Sequence, residues 1–231
     1  ERLMTTSLVK LNKNIISCKK CKRLVNFRNK IAKEKRKQFL HETYWGKPIT
    51  GYGDPKAQLL MVGLAPAAHG GNRTGRVFTG DKSADFLFKC LFKAGLCNQP
   101  NSNYRNDGLV LFNTYLTTAL KCVPPEDKPT SFELKTCFFY FKKEISLLKR
   151  VKVILALGKI AFDACINFYT QYTDIKKNDY LFSHGAKFNL PDDKILVGSY
   201  HPSPRNVNTG RIDEKKMILL LNKVIGLMGK S

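Results

Sequence analysis

Short, continuous apolar runs constrain the fold of this chain more than any other feature. They occupy residues 59–63, 151–157 and 195–199, and a further strand-like stretch covers residues 109–121. Runs of this kind, without polar alternation, are typical of strands that are buried on both faces of a parallel sheet. Helical patterns lie between them and supply the crossover connections. The order predicts a single three-layer α/β domain over residues 1–231, with a central, mostly parallel four-stranded sheet flanked by helices.

Two unusual loops follow strand ends and indicate where a site would lie. One covers residues 64–82 and is rich in glycine, and the other covers residues 200–211. In open α/β sheets, ligands bind outside the carboxyl ends of the strands. Both loops begin at such ends, so the sequence predicts that they form one site together.

The charge of the chain indicates the class of its partner. Lys and Arg number 40 and Asp and Glu number 18, which gives a net charge of +22. Such an excess attracts phosphate polymers. Residues 19–37 alone hold ten basic residues and one acid, and we expect a basic helical N-terminal segment at about residues 5–37. Apolar runs are too short for a membrane span, so the expected partner is nucleic acid and not a membrane.

Four of the seven cysteines have the arrangement of metal ligands. Four thiolates suit either zinc or a 4Fe–4S cluster, and the spacing alone leaves both open. Core packing of one cysteine, with the rest as idle thiols, is the alternative. The other three lie in or beside apolar helical patterns and are expected in the core. The four candidate ligands are Cys18, Cys21, Cys122 and Cys137.

The two loops carry long motifs that identify a family. Residues 63–70 read GLAPAAHG, residues 72–81 read NRTGRVFTGD, and residues 201–211 read HPSPRNVNTGR. These resemble the first and second motifs of the uracil-DNA glycosylase superfamily, in the form of its fifth, type b, prokaryotic family. The four cysteines are similar in order and spacing to the 4Fe–4S ligands of the fourth and fifth families. The resemblance favours a structural iron–sulfur cluster over zinc.

The resemblance implies an enzyme of DNA repair with the uracil-DNA glycosylase fold. Such an enzyme flips uracil, and by extension other deaminated bases, out of DNA. It then hydrolyses the N-glycosidic bond and leaves an abasic site. The resemblance also implies a monomer in the prokaryotic cytoplasm, associated with the nucleoid. The sequence contains no feature that identifies a sliding-clamp partner.

One departure from better-known superfamily members changes the expected chemistry. Those members carry an acidic residue just after the first glycine of the motif, where this chain has Leu64 and Ala65. Neither side chain can accept a proton. The resemblance implies that Asp81 is the catalytic carboxylate instead. The alternative for Asp81 is structural, because aspartate is a common residue at the start of a helix.

His201 is the second predicted catalytic residue. An imidazole can donate a hydrogen bond to a carbonyl oxygen of uracil as the base leaves as an anion. Phe78 matches the aromatic residue on which the flipped base stacks. Thr118 falls where a related family reads the edge of uracil with Asn, and the shorter side chain indicates a broader base tolerance. The further predicted substrate-binding residues are Gly63, Ala65, Ala68, His69 and Asn72.

DNA phosphates are expected to meet basic side chains in the two loops. Contacts of Arg and Lys with phosphate give affinity without sequence choice. A non-catalytic protein that binds damaged or single-stranded DNA, held together by the cluster, is the alternative function. The predicted DNA-binding residues are Arg73, Arg76, Arg205, Asn206 and Arg211.

Overall fold

The computed structural model describes residues 2–229, with side chains from residue 7 onward. The strands are β1 (Tyr52–Gly53), β2 (Leu59–Gly63), β3 (Thr114–Thr118), β4 (Val153–Leu157), β5 (Lys187–Asn189) and β6 (Ile195–Ser199). The helices are α1 (Arg2–Ile16), α2 (Lys22–Glu34), α3 (Gly71–Thr74), α4 (Lys82–Lys93), α5 (Ser131–Leu147), α6 (Lys159–Tyr169), α7 (Pro204–Asn208) and α8 (Glu214–Met228). Within the described residues, no helix is both long and apolar enough to span a membrane.

The sheet has six strands in the order β1-β3-β2-β4-β6-β5. The four central strands are parallel, as predicted, and they come from the apolar runs of the sequence. The prediction of four strands was incomplete because two short strands extend the edges in antiparallel pairing. β1 has only two residues and β5 has three, with exposed Lys187 and Asn189. Neither is long or apolar enough to produce a strand pattern in the sequence.

Helices cover both faces of the sheet, which makes three layers. On one face, alternate residues of the central strands pack against α4 and α8. On the other face, the residues between them pack against α1, α5 and α6. Because side chains alternate across a strand, a continuous apolar run supplies both cores. This burial on both faces explains why the strands contain so few polar residues.

Side-chain caps fix where three of the long helices begin. The carboxylate of Asp81 caps α4 and that of Asp213 caps α8. A capping box begins α5, where Thr130 and Glu133 each accept a hydrogen bond from the other's backbone N–H. Caps of this kind stabilise a helix by about 1 kcal/mol. They set the residues at which α4 and α5 begin, after the segments that follow the carboxyl ends of β2 and β3.

The first two helices lie beside the sheet and form a third apolar cluster with α5. Its buried members include Leu11, Ile15 and Leu24, and three of the four candidate ligand cysteines pack at its border. The fourth, Cys137, is a buried member of the cluster. The basic N-terminal segment therefore contains two helices with one apolar face each.

Candidate functional site

The carboxyl ends of the parallel strands bring the two sequence motifs together, as predicted. Gly63 ends β2 and pairs with Thr118 at the end of β3. His201 follows β6, and its ring lies 5.8 Å from the ring of Phe78, centroid to centroid, at an angle of 31°. The first motif therefore supplies one ring of the pair and the second motif supplies the other.

Gly63 is required for the position of Phe78. A Cβ atom at residue 63 would lie 2.7 Å from Cε2 of Phe78, well inside van der Waals contact. Phe78 itself has a positive φ of 45°, which is unusual for a residue with a side chain. Strained backbone of this kind persists where the surrounding structure fixes it, and it is common at functional sites.

The His201 imidazole is neutral at pH 7. Burial lowers its pKa from 6.5 to about 4. The carbonyl of His201 accepts a hydrogen bond from Nδ2 of Asn206, at 2.9 Å, which fixes the backbone that carries the ring. A neutral imidazole still has one N–H donor. The site therefore has a hydrogen-bond donor that does not change charge near pH 7.

Thr118, at the carboxyl end of β3, has a side-chain hydroxyl without a hydrogen-bond partner among the described residues. Its Oγ1 atom is buried and has no hydrogen-bond partner among the described residues. Its Cγ2 atom would lie 3.6 Å from a Cβ atom on Gly63. Buried hydroxyl groups in proteins are nearly always satisfied. A ligand or a water molecule at this position would complete the bonding of Thr118.

Asp81 has the structural role of a helix cap, and its catalytic role stays a prediction. Its Oδ1 atom accepts a hydrogen bond from the N–H of Ala84 at 2.8 Å, so the residue is the N-cap of α4. Its Oδ2 atom lies against Gly70, where a Cβ atom would collide with it. Burial raises the pKa of Asp81, and Asp85 adds to this, while backbone N–H groups and Arg73 oppose it. The cap therefore orients the carboxylate without removing it from the site.

Asp81 lines a wide groove whose lining residues do not include Phe78 or His201. Ala68 and His69 also line this groove, as does Pro204 from the second motif. His69 accepts or donates a hydrogen bond at Nδ1, 2.8 Å from the hydroxyl of Tyr44. Burial, with Arg36 and Arg73 nearby, lowers the pKa of His69.

Two predicted substrate-binding residues lie elsewhere. Asn72 is 1% exposed, and its Nδ2 donates to the carbonyl oxygen of Arg28. Ala65 packs against the apolar cluster that borders the cysteines. Neither is among the residues that line the groove, and their contact with the base stays a prediction. Both instead connect the first motif to the N-terminal helices.

Two of the predicted DNA contacts are wrong, because their guanidinium groups are bound inside the protein. Arg73 is bound to Glu42 and to the carbonyls of His69 and Gly80. Arg76 forms a buried ion pair with Asp107 at 2.8 Å and binds further oxygen atoms. These donors bind oxygen atoms both inside the first motif and in distant segments, such as Glu42 and Asp107, so they hold its loop against the rest of the protein.

Exposed positive charge lies on the second motif instead. Arg205 is exposed at the start of α7, and exposed Arg211 lies with its guanidinium carbon 5.3 Å from the ring centroid of Tyr200. Asn206, between them in the sequence, is partly buried and bound to His201. Of the five predicted DNA-binding residues, Arg205 and Arg211 are the two that are exposed.

All four candidate ligand cysteines line one cavity between α2, α5 and the end of β3. Its empty volume is about 350 Å³, counted to its opening to solvent. Two thiol sulfur atoms accept hydrogen bonds, Cys122 from Nη1 of Arg28 at 3.1 Å and Cys137 from the N–H of Lys121 at 3.3 Å. Within residues 2–229, no group of three or more His, Cys, Asp or Glu side chains is arranged to hold a metal ion.

Sequence reasoning missed Arg28, which connects this cavity to the first motif. It is 5% exposed, and it also binds the carbonyls of Cys18 and Gly46. The sequence analysis predicts a basic helical segment here and assigns no separate role to Arg28. Leu24 and Arg28 are four residues apart and both are buried on one face of α2. That spacing was a signal in the sequence that one basic residue points inward.

A ring pair and a carboxylate above the carboxyl ends of parallel strands define a ligand site of the open α/β class. The family model for the uracil DNA glycosylase superfamily matches residues 50–225. The chain is 42% identical to the type-5 uracil-DNA glycosylase of Thermus thermophilus, over 93% of this chain and 95% of that protein. It is 40% identical to that of Pyrobaculum aerophilum, over 90% and 88% respectively. The chain belongs to the uracil DNA glycosylase superfamily.

Proposed function

We propose that this chain removes uracil from DNA by hydrolysing the N-glycosidic bond, which leaves an abasic site. The observation that carries the proposal is the Phe78–His201 ring pair, placed over Gly63 at the carboxyl ends of the strands. Relatives at about 40% identity that are named type-5 uracil-DNA glycosylases support it.

The ring pair accounts for binding of the base and for its departure. A base flipped from the stack would lie on Phe78, with its edge toward the hydroxyl of Thr118. The bond between C1′ and the base nitrogen breaks, and its electron pair leaves with uracil. A neutral His201 donates a hydrogen bond to the uracil anion as it develops. A donor stabilises a transition state most where the charge forms. Thr118 has a short side chain, and we propose that other deaminated bases are also accepted.

Asp81 acts on the sugar side of the same bond. Its carboxylate would stabilise the positive charge that the sugar develops, and a water molecule supplies the oxygen that bonds to C1′. Leu64 and Ala65 offer no proton acceptor, and Asp81 is the one carboxylate of the first motif, residues 63–81, so we assign this role to it. The raised pKa of Asp81 means that the anion is lost at a higher pH than for an ordinary aspartate.

The protein would hold DNA mainly through charge. Net charge of +22 supplies attraction, with Arg205 and Arg211 beside the site and the basic α2 at its margin. We propose that it acts as a monomer on the chromosomal DNA of a prokaryotic nucleoid.

We infer that Cys18, Cys21, Cys122 and Cys137 hold a 4Fe–4S cluster. The four thiols line one cavity, and four thiolates are a ligand set that a 4Fe–4S cluster takes. Bound there, the cluster would cross-link the N-terminal helices to the end of β3. Arg28 and the N–H of Lys121 would stabilise the thiolate form of two ligands by hydrogen bonds to sulfur.

The direct test is release of free base. The purified protein is incubated with a double-stranded oligonucleotide that contains one deoxyuridine, and free uracil and the abasic strand are both measured. We expect one uracil per abasic site, and no release from the matched thymidine oligonucleotide. Binding of both DNAs without release from either would contradict the proposal and favour the non-catalytic binding protein.

A further inference from the structure

The groove contains His69, whose ring nitrogen Nδ1 is hydrogen-bonded to a tyrosine hydroxyl. The hydroxyl of Tyr44 lies 2.8 Å from Nδ1 of His69. The same hydroxyl accepts a hydrogen bond from the backbone N–H of Arg36 at 3.2 Å. Tyr44 is 7% exposed, and its ring stands edge-on to the imidazole at an angle of 80°.

Donor counting decides the direction of the bond between the two side chains. A tyrosine hydroxyl has one hydrogen to donate. Among the described residues, the only acceptor within reach of the Tyr44 hydroxyl is Nδ1 of His69. If Nδ1 carried the proton instead, the hydroxyl hydrogen would be left without a protein partner at a buried position, which is costly. Nδ1 is therefore the acceptor and Nε2 carries the hydrogen.

The backbone of His69 is fixed as firmly as its ring. Its carbonyl accepts a hydrogen bond from Nε of Arg73 at 2.7 Å, and Arg73 is held in turn by Glu42. Burial, together with the positive charges of Arg36 and Arg73, lowers the pKa of His69 and so favours the neutral imidazole. Tyr44 follows the basic α2, while His69 belongs to the first motif, so this hydrogen bond also joins two separate loops.

On the proposed function, we infer that Tyr44 is a positioning residue that holds His69 as a neutral Nε2–H donor toward an acceptor oxygen of the DNA in the groove. The oxygen belongs either to the flipped base or to an adjacent phosphate, and both take the same donor. His69 and Asp81 line the same groove, so the donor lies on the surface where the proposed function places the DNA.

The tautomer is measured directly by NMR of the full-length protein labelled with ¹⁵N in its histidine side chains. Long-range proton–nitrogen correlations of His69 should show a protonated Nε2 and an unprotonated Nδ1, and His69→Gln identifies the signals. Tyr44→Phe keeps the ring and removes only the hydroxyl, so it should produce a mixture of tautomers. A protonated Nδ1 in the unaltered protein overturns the inference, whatever the enzymatic activity.

Single-turnover uracil release tests the functional half of the inference. Tyr44→Phe should slow release by about threefold to tenfold, the scale of one lost hydrogen bond, and His69→Ala by more. The double variant should be no slower than His69→Ala alone, because Tyr44 acts through His69. A loss in cleavage with unchanged DNA affinity indicates the base as acceptor, and a loss of affinity indicates a phosphate. Full activity of His69→Ala, with uracil still released, overturns this inference and leaves the proposed function intact.

Discussion

Replacing Gly63 by Ala perturbs the proposed base-binding site by a single methyl group. The φ of Gly63 lies outside the left-handed region, so the backbone can accept a side chain there. The effect is steric, because the new Cβ atom would lie 2.7 Å from Cε2 and 3.0 Å from Cζ of Phe78. Ordinary contact begins at 3.4 Å, so the ring must move by about 0.7 Å.

The magnitude follows from how tightly that ring is packed. Phe78 is 8% exposed and contacts the ring of His201, so it cannot move without disturbing its neighbours. Overpacking of this kind costs about 1–3 kcal/mol. A domain of this size loses about 2–4 °C in Tm for each kcal/mol. Misplacement of a binding group by nearly 1 Å costs up to about 100-fold in rate, so single-turnover uracil release should fall by about tenfold or more.

Gly226→Ala is the matched control. Gly226 lies in α8 with open space around its Cβ position and no positive φ. The substitution should raise the free energy of unfolding by about 0.5–1 kcal/mol and leave uracil release unchanged. Denaturant unfolding and quenched-flow cleavage measure the two quantities. If Gly63→Ala cleaves uracil DNA as fast as the unaltered protein, Phe78 does not support the base and the account of the site is wrong.

Three further predictions test other parts of the molecule. The unfolded chain protonates His201 near pH 6.5 and the folded protein only near pH 4, so between these values the unfolded state binds more protons. Relative to His201→Gln, urea unfolding should therefore show a loss of up to about 3 kcal/mol as the pH falls from 7 to 4, and a pH-independent difference contradicts the burial of the neutral ring. Arg211→Ala should weaken binding to all DNA sequences and reduce the slope of log affinity against log salt concentration by about 1. Arg76→Ala should leave that slope unchanged. It should destabilise the fold by about 3–5 kcal/mol, because it leaves the buried carboxylate of Asp107 without its ion-pair partner. Protein purified without oxygen should contain about four iron atoms per chain. Arg28→Ala should lower this iron content, whereas Lys19→Ala, at an exposed position nearby, should not. Equal iron content in both variants would contradict the role of the hydrogen bond from Arg28 to sulfur.

The central sheet could be predicted from the sequence because each of its strands is buried on both faces. The runs at residues 59–63 and 195–199 matched the observed strands at both ends. The edge strands could not be predicted, because they are short and partly exposed and depend on neighbours that are distant in the sequence. Strand β3 proved shorter than the predicted stretch of residues 109–121, since chain pairing ends at Thr118.

The site was predictable where a motif fixed the residue and a strand end fixed its place, as for His201 and Phe78. The direction of long basic side chains was not predictable, because it depends on partners supplied by other segments. Arg76 is bound to Asp107, which lies 31 residues further along the chain. Glu144 lies on an apolar face of α5, where its charge is paired with buried Lys121 at 2.6 Å. Only the folded chain brings such partners together.

The most direct test of the account separates bond cleavage from DNA binding at Asp81. Asn caps a helix as well as Asp does, so Asp81→Asn should keep α4 and the fold intact while it removes the negative charge. Single-turnover uracil release and DNA affinity are measured together for this variant, for His201→Ala and for the unaltered protein. The account predicts release at least about 100-fold slower in each variant, with affinity and Tm nearly unchanged for Asp81→Asn. Uracil release by Asp81→Asn at the rate of the unaltered protein would contradict it, and would leave Asp81 with the helix cap as its only role.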